Sequence, residues 1–502
     1  MKKIFILLIL ALTLISLSAV SASENVTDVV DIADDGIVSE DISLDESSPL
    51  LEDSPKADTT ISANATTGYE KFSTQFTVTL TQNNTPLASK PVSINIDGVT
   101  YDKKTNSTGQ ASVYVKLAKG SYTATFTYAG DNTTNPSSGS AKITIKSPYN
   151  TVLKQVDKDI NYRQGLKSLF QVRLLTTSGS AVKNQEVKFI AGGKTYTAKT
   201  DARGYASIYL SLKKGTRTVK YSFKSSNPYL SSSGSTKLKV KAPIAKGYGY
   251  WMWASGIKST NLKTLKNLGT KHIFLHSYAI DLYGKSTVKS WIAKANKYGM
   301  KVHIWMQVFY NGNWVRPVND DGSLKYSYMS KKISLAKSYA KISGVAGIHF
   351  DYLRFGGTAY KYATSNKAIN YFTKKASIEV RKVSPNCIVS AAVMPEPGMM
   401  DYYYGQDVSE MSKYLDVIVP MAYKGNYGKN TEWIKYVTSA FNLESNGAQI
   451  WTGLQAYKSD SNVVKLSTSA LLKDAKAAIE GGAKGVVLFR IGVTHYLNFN
   501  KV

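Results

Sequence analysis

The residues best suited to chemistry follow a single apolar run. Residues 345–350 are rich in β-branched and aromatic side chains, which is typical of a buried strand. Asp351 comes directly after this run, and Tyr352 and Arg354 follow within three residues. A carboxylate at the exit of a buried strand is costly unless it is paired or useful. Asp351 is therefore a candidate acid or base; the alternative is an ion pair with Arg354 that only organises the loop.

A second acid lies in a constrained segment further along the chain. Glu396 has a proline on each side, and prolines restrict the backbone around it. Glycoside hydrolysis commonly uses two carboxyl groups, about 5–5.5 Å apart for retention of configuration and about 6.5–9.5 Å apart for inversion. We therefore predict Asp351 and Glu396 as a catalytic pair and leave both stereochemical outcomes open. The alternative for Glu396 is a solvent-exposed loop acid.

The elements that must position these acids form a regular series. Across residues 246–502, apolar strand patterns alternate with helical patterns, and strict alternation implies a parallel sheet. Eight strands in a segment of this length predict a (β/α)8 barrel, for which about 250 residues is typical. The predicted strands are Tyr248–Trp253, Lys271–Leu275, Lys301–Val308, Val345–Asp351, Cys387–Val393, Leu415–Met421, Gln449–Leu454 and Gly485–Phe489.

Aromatic, amide and charged residues recur at the ends of these strands. Active sites of such barrels lie at the carboxyl ends of the strands. Aromatic rings stack on sugar faces, and polar groups bind sugar hydroxyls. The strand ends therefore predict a sugar cleft whose substrate-binding residues are Trp253, His276, Trp305, Gln307, Arg354, Tyr423, Gln455 and Arg490.

The histidines do not indicate a metal centre. His303 and His349 share the strand parity of the catalytic candidates, but the sequence has no recognised zinc spacing. We predict interior histidines that support the site, with no metal and no other cofactor. Cys387 is the one cysteine and lies in an apolar strand, so we predict a buried structural thiol.

Residues 59–242 have a different pattern, with short alternating strands and an internal repeat. Thr105–Ser112 corresponds to Thr200–Ser207 at an offset of 95 residues, and a Lys-Gly pair follows each segment. On this turn and the Lys-Gly pair, the segment resembles the immunoglobulin-like repeats of secreted adhesin-like proteins, including those of methanogenic archaea. The resemblance implies two all-β immunoglobulin-like sandwiches, at 59–147 and 148–242, followed by the α/β barrel.

The amino terminus and the charge bear on location and partners. Residues 1–22 have the basic start, apolar run and small residues of a signal peptide, and residues 23–58 form an acidic spacer predicted to be disordered. No later segment is apolar enough to span a bilayer. The formal net charge is +28, which favours an anionic partner, although no nucleic-acid-binding motif is present; the alternative is a charged surface that only keeps the protein in solution. We predict a secreted or surface-associated protein whose basic β-rich stalk contacts a cell wall.

Two motifs resemble a known group of proteins. Residues 347–355, with the sequence Gly-Ile-His-Phe-Asp-Tyr-Leu-Arg-Phe, resemble a signature of glycoside-hydrolase-like TIM barrels. Residues 416–423 resemble the sixth strand of those proteins and a segment of family 18 chitinases. In related barrels that cleave aminosugar polymers, the acids after the fourth and fifth strands are the catalytic pair, which implies Asp351 and Glu396. The chitinase Asp-x-x-Asp-x-Asp-x-Glu strand is absent, which argues against chitinase proper. Lys424 stands where chitinases carry an aspartate after the tyrosine, which argues against substrate-assisted catalysis through an N-acetyl group.

These observations lead to one functional prediction and one alternative. We predict a secreted glycoside hydrolase that cleaves a cell-wall or extracellular polysaccharide, anionic or aminosugar-containing, by carboxylate acid/base catalysis. The alternative is a non-catalytic adhesin-like surface protein whose barrel binds glycan.

Overall fold

The computed structural model describes residues 55–502. The predicted signal peptide, and the acidic spacer up to residue 54, lie outside the described residues. Residues 58–502 form one unit. Within it, two successive groups of β-sheets precede a parallel barrel.

The first β-unit covers residues 59–146 and consists of two sheets. Its sheets have the strand orders β1-β3-β4, with β7 also paired to β3, and β2-β9-β8-β5-β6. Alternate side chains of β3 are buried, because each strand has one face on the core and one face toward solvent. The strands are β1 (Thr59–Ser62), β2 (Thr66–Tyr69), β3 (Thr74–Gln82), β4 (Thr85–Pro86), β5 (Pro91–Ile96), β6 (Val99–Lys104), β7 (Gln110–Val115), β8 (Gly120–Tyr128) and β9 (Ser137–Lys146).

The second β-unit covers residues 151–241 and repeats this arrangement. Its sheets have the orders β10-β12-β15 and β11-β17-β16-β13-β14. The strands are β10 (Thr151–Gln155), β11 (Tyr162–Arg163), β12 (Ser168–Thr176), β13 (Glu186–Ala191), β14 (Lys194–Lys199), β15 (Tyr205–Leu210), β16 (Gly215–Phe223) and β17 (Ser232–Lys241).

The predicted fold class needs correction here. Immunoglobulin-like sandwiches consist of two antiparallel sheets. In this protein, β2 pairs with β9 in parallel and β11 pairs with β17 in parallel, so one sheet of each unit is mixed. The description of two immunoglobulin-like sandwiches is therefore wrong. The region is a set of curled, many-stranded sheets of β-sandwich type, and an eight-stranded parallel barrel lies at the carboxyl end. The domain boundaries remain a prediction.

Eight parallel strands close the barrel. Several of them, including β18 and β22, are buried at every position, as expected for strands with helices outside and a packed interior. The barrel strands are β18 (Gly247–Met252), β19 (His272–His276), β20 (Lys301–Gln307), β21 (Val345–Asp351), β22 (Ile388–Val393), β23 (Val417–Pro420), β24 (Gln449–Gln455) and β27 (Gly485–Phe489). A hairpin, β25 (Tyr457–Ser459) and β26 (Asn462–Lys465), follows β24 and was not predicted.

Helices connect the barrel strands. The side chains of Asn430 and Ser467 cap the first turns of α8 and α9 by accepting backbone hydrogen bonds. Within residues 55–502 no helix has the length and apolarity to cross a membrane. The helices are α1 (Gly256–Ser259), α2 (Leu262–Asn267), α3 (Tyr278–Lys297), α4 (Tyr326–Ala340), α5 (Ser365–Val383), α6 (Met400–Tyr404), α7 (Val408–Met411), α8 (Thr431–Glu444) and α9 (Thr468–Glu480), with short 3₁₀ turns at Ala359–Lys361 and Phe499–Lys501.

Large rings and histidines fill the barrel interior. Trp251, Phe274, Trp305 and Trp451 are buried together there. Gly347 leaves room for the His303 ring, because a Cβ atom at that position would lie 2.1 Å from His303 Nδ1. The interior is thus packed with side chains.

A buried ion cluster joins the second β-unit to the base of the barrel. Asp416 Oδ1 accepts hydrogen bonds from Arg163 Nη2 (2.8 Å) and Asn161 Nδ2 (2.7 Å), both in the second β-unit. Asp416 Oδ2 accepts from Arg381 Nη2 of α5 at 2.8 Å. Burial alone would raise the pKa of Asp416, but Arg381, Arg163 and Lys241 hold it far below its usual range.

Candidate active site

A cavity of about 380 Å³ opens at the carboxyl ends of the barrel strands. Its position is the one at which barrels of this kind carry their active sites. Eight of its seventeen lining residues are aromatic, and the polar groups include two carboxylates, two amides and one guanidinium. The lining residues are Trp251, Trp253, Trp305, Gln307, Asp351, Tyr352, Arg354, Ala392, Met394, Pro395, Met421, Tyr423, Asn426, Tyr427, Tyr457, Asp460 and Phe489.

Asp351 is the last residue of β21 and faces this cavity. Its Oδ2 accepts a hydrogen bond of 2.9 Å from the indole nitrogen of Trp305, and its Oδ1 accepts one of 2.7 Å from the backbone N–H of Tyr352. Tyr352 has φ of +50°, a conformation that non-glycine residues rarely adopt and that is concentrated at functional sites. The chain thus turns directly after β21, at the residue whose N–H holds the carboxyl group of Asp351.

Burial raises the pKa of Asp351 above the ordinary value of an aspartate. The N–H of Tyr352, the Trp305 indole and the charge of Arg354 favour the ionised form but only partly offset this effect. The charge of Asp351 in turn contributes to the raised pKa of Tyr423, which burial raises most. A carboxyl group that retains its proton above its ordinary pKa is suited to general acid catalysis.

Arg354 organises the rim rather than pairing with Asp351. Its guanidinium lies 4.6 Å from the ring centre of Trp314, 5.4 Å from that of Tyr352 and 5.5 Å from that of Tyr404. None of the ion pairs in the described part of the chain joins it to Asp351. Stacking of a guanidinium on several rings is a cation–π arrangement, so Arg354 holds the aromatic rim together.

Glu396 lies behind the cavity lining. Its Oε1 accepts a hydrogen bond of 2.8 Å from the hydroxyl of Tyr427, and Tyr427 lines the cavity. Burial raises the pKa of the Tyr427 hydroxyl most, and the hydrogen bond to Glu396 raises it further. Glu396 itself does not line the cavity. The pairing of Glu396 with Asp351 therefore remains a prediction.

Asp460 is a cavity carboxylate that the sequence reasoning missed. It lies at the tip of the hairpin between β25 and β26. Its Oδ1 accepts a hydrogen bond of 2.7 Å from the Tyr457 hydroxyl, and its Oδ2 accepts one of 2.7 Å from Asn426 Nδ2. Gln455 Nε2 donates to Asn426 Oδ1 at 2.8 Å. The one signal in the sequence is an acid in a polar turn just beyond the seventh barrel strand.

The predicted substrate-binding residues separate into two groups. Trp253, Trp305, Gln307, Arg354 and Tyr423 line the cavity together with Asp351. The remaining three, His276, Gln455 and Arg490, do not line it and instead support residues that do.

These three supporting residues act through rings and amides. His276 packs against Trp253 and Trp305, with ring centres 4.5 and 4.7 Å away, and burial lowers its pKa to about 4, so it is neutral at pH 7. Gln455 fixes the Asn426–Asp460 network, and the guanidinium of Arg490 lies 5.5 Å from the ring centre of Trp253.

Three of the other four histidines lie inside the barrel, and His495 is exposed near the end of the chain. His303 Nε2 is 2.9 Å from His272 Nδ1, and His349 Nδ1 is 2.9 Å from Ser390 Oγ. Burial lowers the pKa of each of these three histidines. Residues 55–502 contain no cluster of three or more histidine, cysteine, aspartate or glutamate side chains suited to a metal ion. Lys424, which differs from the chitinase pattern, pairs with Asp474 at 2.7 Å, and neither lines the cavity.

One family model and several solved structures are similar to this chain. Residues 282–453 match a family model described as "Putative glycosyl hydrolase domain". The structure is similar to the spore cortex-lytic enzyme SleL of Bacillus cereus, at 13% identity and a TM-score of 0.37, over 53% of this chain and 75% of that chain. No curated protein sequence matches the chain.

Two chitinases are also similar in structure. For a class V chitinase from Pseudomonas fluorescens Pf-5 the identity is 11% and the TM-score 0.40, over 51% of this chain and 98% of that chain. For a GH18 chitinase from Cycas revoluta in complex with (GlcNAc)3 the identity is 12% and the TM-score 0.37, over 49% and 95%. The segment matched by the family model includes Asp351 and Glu396 but ends before Asp460. That match indicates a barrel of the glycoside hydrolase type.

Proposed function

We propose that the barrel hydrolyses a glycosidic bond and that Asp351 is the general acid. The observation that carries this proposal is the environment of Asp351, which faces the cavity while burial raises its pKa. A glycosidic oxygen leaves readily only when it is protonated, and a carboxyl group with a raised pKa can supply that proton near neutral pH. Trp305 and Tyr352 donate to the two oxygens of Asp351, so the carboxyl group is held in one orientation at the cavity.

We propose Asp460 as the second carboxylate. It lines the same cavity as Asp351, and both charges contribute to the raised pKa of Tyr352 and of Tyr423. Asp460 accepts hydrogen bonds from Tyr457 and Asn426 through its two oxygens, so its carboxyl group is held in place at the cavity. Glu396 is the other candidate for this role and would act through the Tyr427 hydroxyl.

The aromatic lining supports a sugar polymer as the substrate. The cavity is lined by aromatic rings on which pyranose rings can stack, namely those of Trp253, Tyr427, Tyr457 and Phe489. Gln307 offers an amide group to the sugar hydroxyls. We propose an extracellular or cell-wall polysaccharide, in keeping with the predicted signal peptide. The high positive charge favours an anionic one.

Release of reducing ends from soluble polysaccharide fractions tests the proposal. We expect Asp351→Asn to lower kcat by about 100-fold or more, because general acid catalysis typically contributes 10²–10⁴-fold. Asp281→Asn, an exposed acid on α3, is the matched control and should leave the rate unchanged. Activity that survives Asp351→Asn would overturn the assignment. Glycan binding without any release of reducing ends would favour the adhesin-like alternative.

Parallel variants identify the second carboxylate. If Asp460 is the base or nucleophile, Asp460→Asn should be as inactive as Asp351→Asn, and Glu396→Gln should keep most of its activity. The reverse result would assign the role to Glu396.

A further inference from the structure

We infer that the second β-unit binds an anionic polysaccharide on the outer face of its five-stranded sheet. Four lysines project from this face, and we call them the lysine stripe: Lys188 on β13, Lys220 on β16, and Lys237 and Lys239 on β17. All four are exposed. The identity of the polymer rests on the proposed function, because we take it to be the polysaccharide on which the barrel acts.

The strand register places these lysines along one diagonal. Ile190, two residues after Lys188, is directly opposite Lys220 on the neighbouring strand. Thr218, two residues before Lys220, is directly opposite Lys237. Diagonal neighbours of this kind are about 7–8 Å apart. The stripe therefore crosses three strands as a row of regularly spaced ammonium groups and ends with Lys239 further along β17.

The lysine stripe has no partner within the part of the chain that the structure describes. None of its four members takes part in the ion pairs found among residues 55–502. The one acid on the same face of these strands, Glu186, is directly opposite Lys199, outside the stripe. Like charges on neighbouring strands oppose folding, so a polyanion seated on the stripe would gain energy by neutralising them.

The first β-unit provides an internal comparison. At the offset of 95 residues, the four stripe positions correspond to Ser93, Thr125, Lys142 and Thr144, so only one of the four is charged. Residues 59–147 contain 8 basic and 4 acidic residues, whereas residues 148–242 contain 18 basic and 4 acidic residues. Because the two units share their strand arrangement, the fold does not require the stripe. Of the two β-units, only the second has the lysine stripe.

The surface beside the stripe suits sugar rather than a bare anion. A groove of about 420 Å³ includes two members of the stripe, Lys188 and Lys220, and is also lined by Ile190, Tyr221, Gly234 and three serines. Ile190 is 43% exposed, which gives the groove an apolar wall. Serine hydroxyls can bind sugar hydroxyls, and the lysines can bind carboxylates or sulfates. An acidic polysaccharide combines these groups, so it is the occupant that the groove fits.

Binding of the full chain to immobilised polygalacturonate tests the inference, with dextran as the neutral comparison. The test variant Lys188→Ser/Lys220→Thr/Lys239→Thr introduces the residues found at the same positions of the first β-unit. The control Lys263→Ser/Lys289→Thr/Lys297→Thr removes the same charge from exposed positions on and beside barrel helices. In the test variant, we expect polygalacturonate binding to weaken by about tenfold or more and to lose much of its dependence on salt. In the control variant, binding should change little.

Each result separates this inference from the proposed function. Equal losses in both triple variants would mean that net charge alone drives binding and would overturn the inference, as would equal binding to dextran. Tighter, stripe-dependent binding of single-stranded DNA would overturn the choice of polymer. Hydrolysis of a short soluble oligosaccharide should be the same in the test variant and the wild type, because the stripe lies outside the barrel. If Asp351→Asn no longer hydrolyses the oligosaccharide but still binds polygalacturonate, the result supports both proposals.

Discussion

The indole nitrogen of Trp305 donates a hydrogen bond of 2.9 Å to Oδ2 of Asp351. The two residues belong to neighbouring barrel strands, β20 and β21, so the bond is formed at the mouth of the barrel by adjacent strand ends. It favours the ionised carboxylate, whereas burial favours the neutral acid, and burial prevails. The protonation of Asp351 is thus set by two opposing effects, of which the hydrogen bond can be removed by one substitution.

Trp305→Phe should move the pH dependence of hydrolysis to higher pH. The variant keeps an aromatic ring but loses the donor, so the pKa of Asp351 should rise further. Because catalysis needs protonated Asp351, activity is lost as pH rises through its pKa, and this alkaline limb should shift upward by about one pH unit. The measurement is kcat/KM against pH. Trp253→Phe is the control, since Trp253 lines the cavity without bonding to Asp351. A limb that stays in place or moves down would contradict the prediction.

Asp351 should also make stability depend on pH. An unfolded aspartate titrates near 3.9, and the folded pKa of Asp351 is higher. Between the two values the native state binds more protons than the unfolded state, so the free energy of unfolding should fall as pH rises through this window. Asp351→Asn lacks this titrating group. As pH rises through the window, the free energy of unfolding of the variant should therefore increase relative to that of the wild type. Urea unfolding from about pH 3.5 to 7 measures it, and a pH-independent difference would contradict it.

Tyr427→Phe should distinguish a Glu396 that acts through Tyr427 from one that only supports the wall of the cavity. The change removes the 2.8 Å hydrogen bond to Glu396 and leaves the ring in the cavity lining. If Asp460 is the second carboxylate, Tyr427 only supports the wall of the cavity, and we expect kcat to fall less than about tenfold, which corresponds to about 1.4 kcal/mol of transition-state stabilisation. A loss as large as that of Glu396→Gln, together with a non-additive double variant, would instead indicate that the two residues act as one unit.

The placement of Asp351 was predictable because it depends on local pattern. The sequence contains an apolar strand that ends in a carboxylate, within a regular series of strands and helices. This pattern predicts both where the mouth of the barrel lies and that Asp351 faces it. The helix and strand positions near β21 follow from the same periodicity. Arg354 was also predicted at the rim, and its partners there are the rings of Trp314, Tyr352 and Tyr404.

The features that were missed depend on contacts distant in sequence. Asp460 lies on a hairpin whose second strand is exposed at every position, so it has no apolar alternation to reveal it. Its place in the cavity is fixed by Asn426, 34 residues away. The direction of Glu396 is likewise set by Tyr427, and the parallel pairing of β2 with β9 joins strands far apart in the chain. Local periodicity contains no information about such partners.

Arg163→Ala should destabilise the protein strongly, because it breaks the buried cluster between the second β-unit and the barrel. Asp416 is fully buried, and Arg163 donates to its Oδ1 through both Nε and Nη2, at 2.9 and 2.8 Å. Removal of one partner of a buried ion pair typically costs about 3–5 kcal/mol, and here Arg381 would still compensate part of the charge, so we expect about 2–4 kcal/mol.

The control for this prediction is an ion pair of the same residue types at the surface. Arg203 pairs with Asp201, but their side chains are 78% and 46% exposed, so Arg203→Ala should cost less than about 1 kcal/mol. The pKa of Asp416 is lowered in the folded state, so its contribution is fully present above the unfolded pKa near 4 and is lost as pH falls below it. The cost of Arg163→Ala in urea unfolding should therefore be larger at pH 7 than at about pH 3. Equal costs for Arg163→Ala and Arg203→Ala at pH 7 would show that the cluster does not hold the β-unit to the barrel.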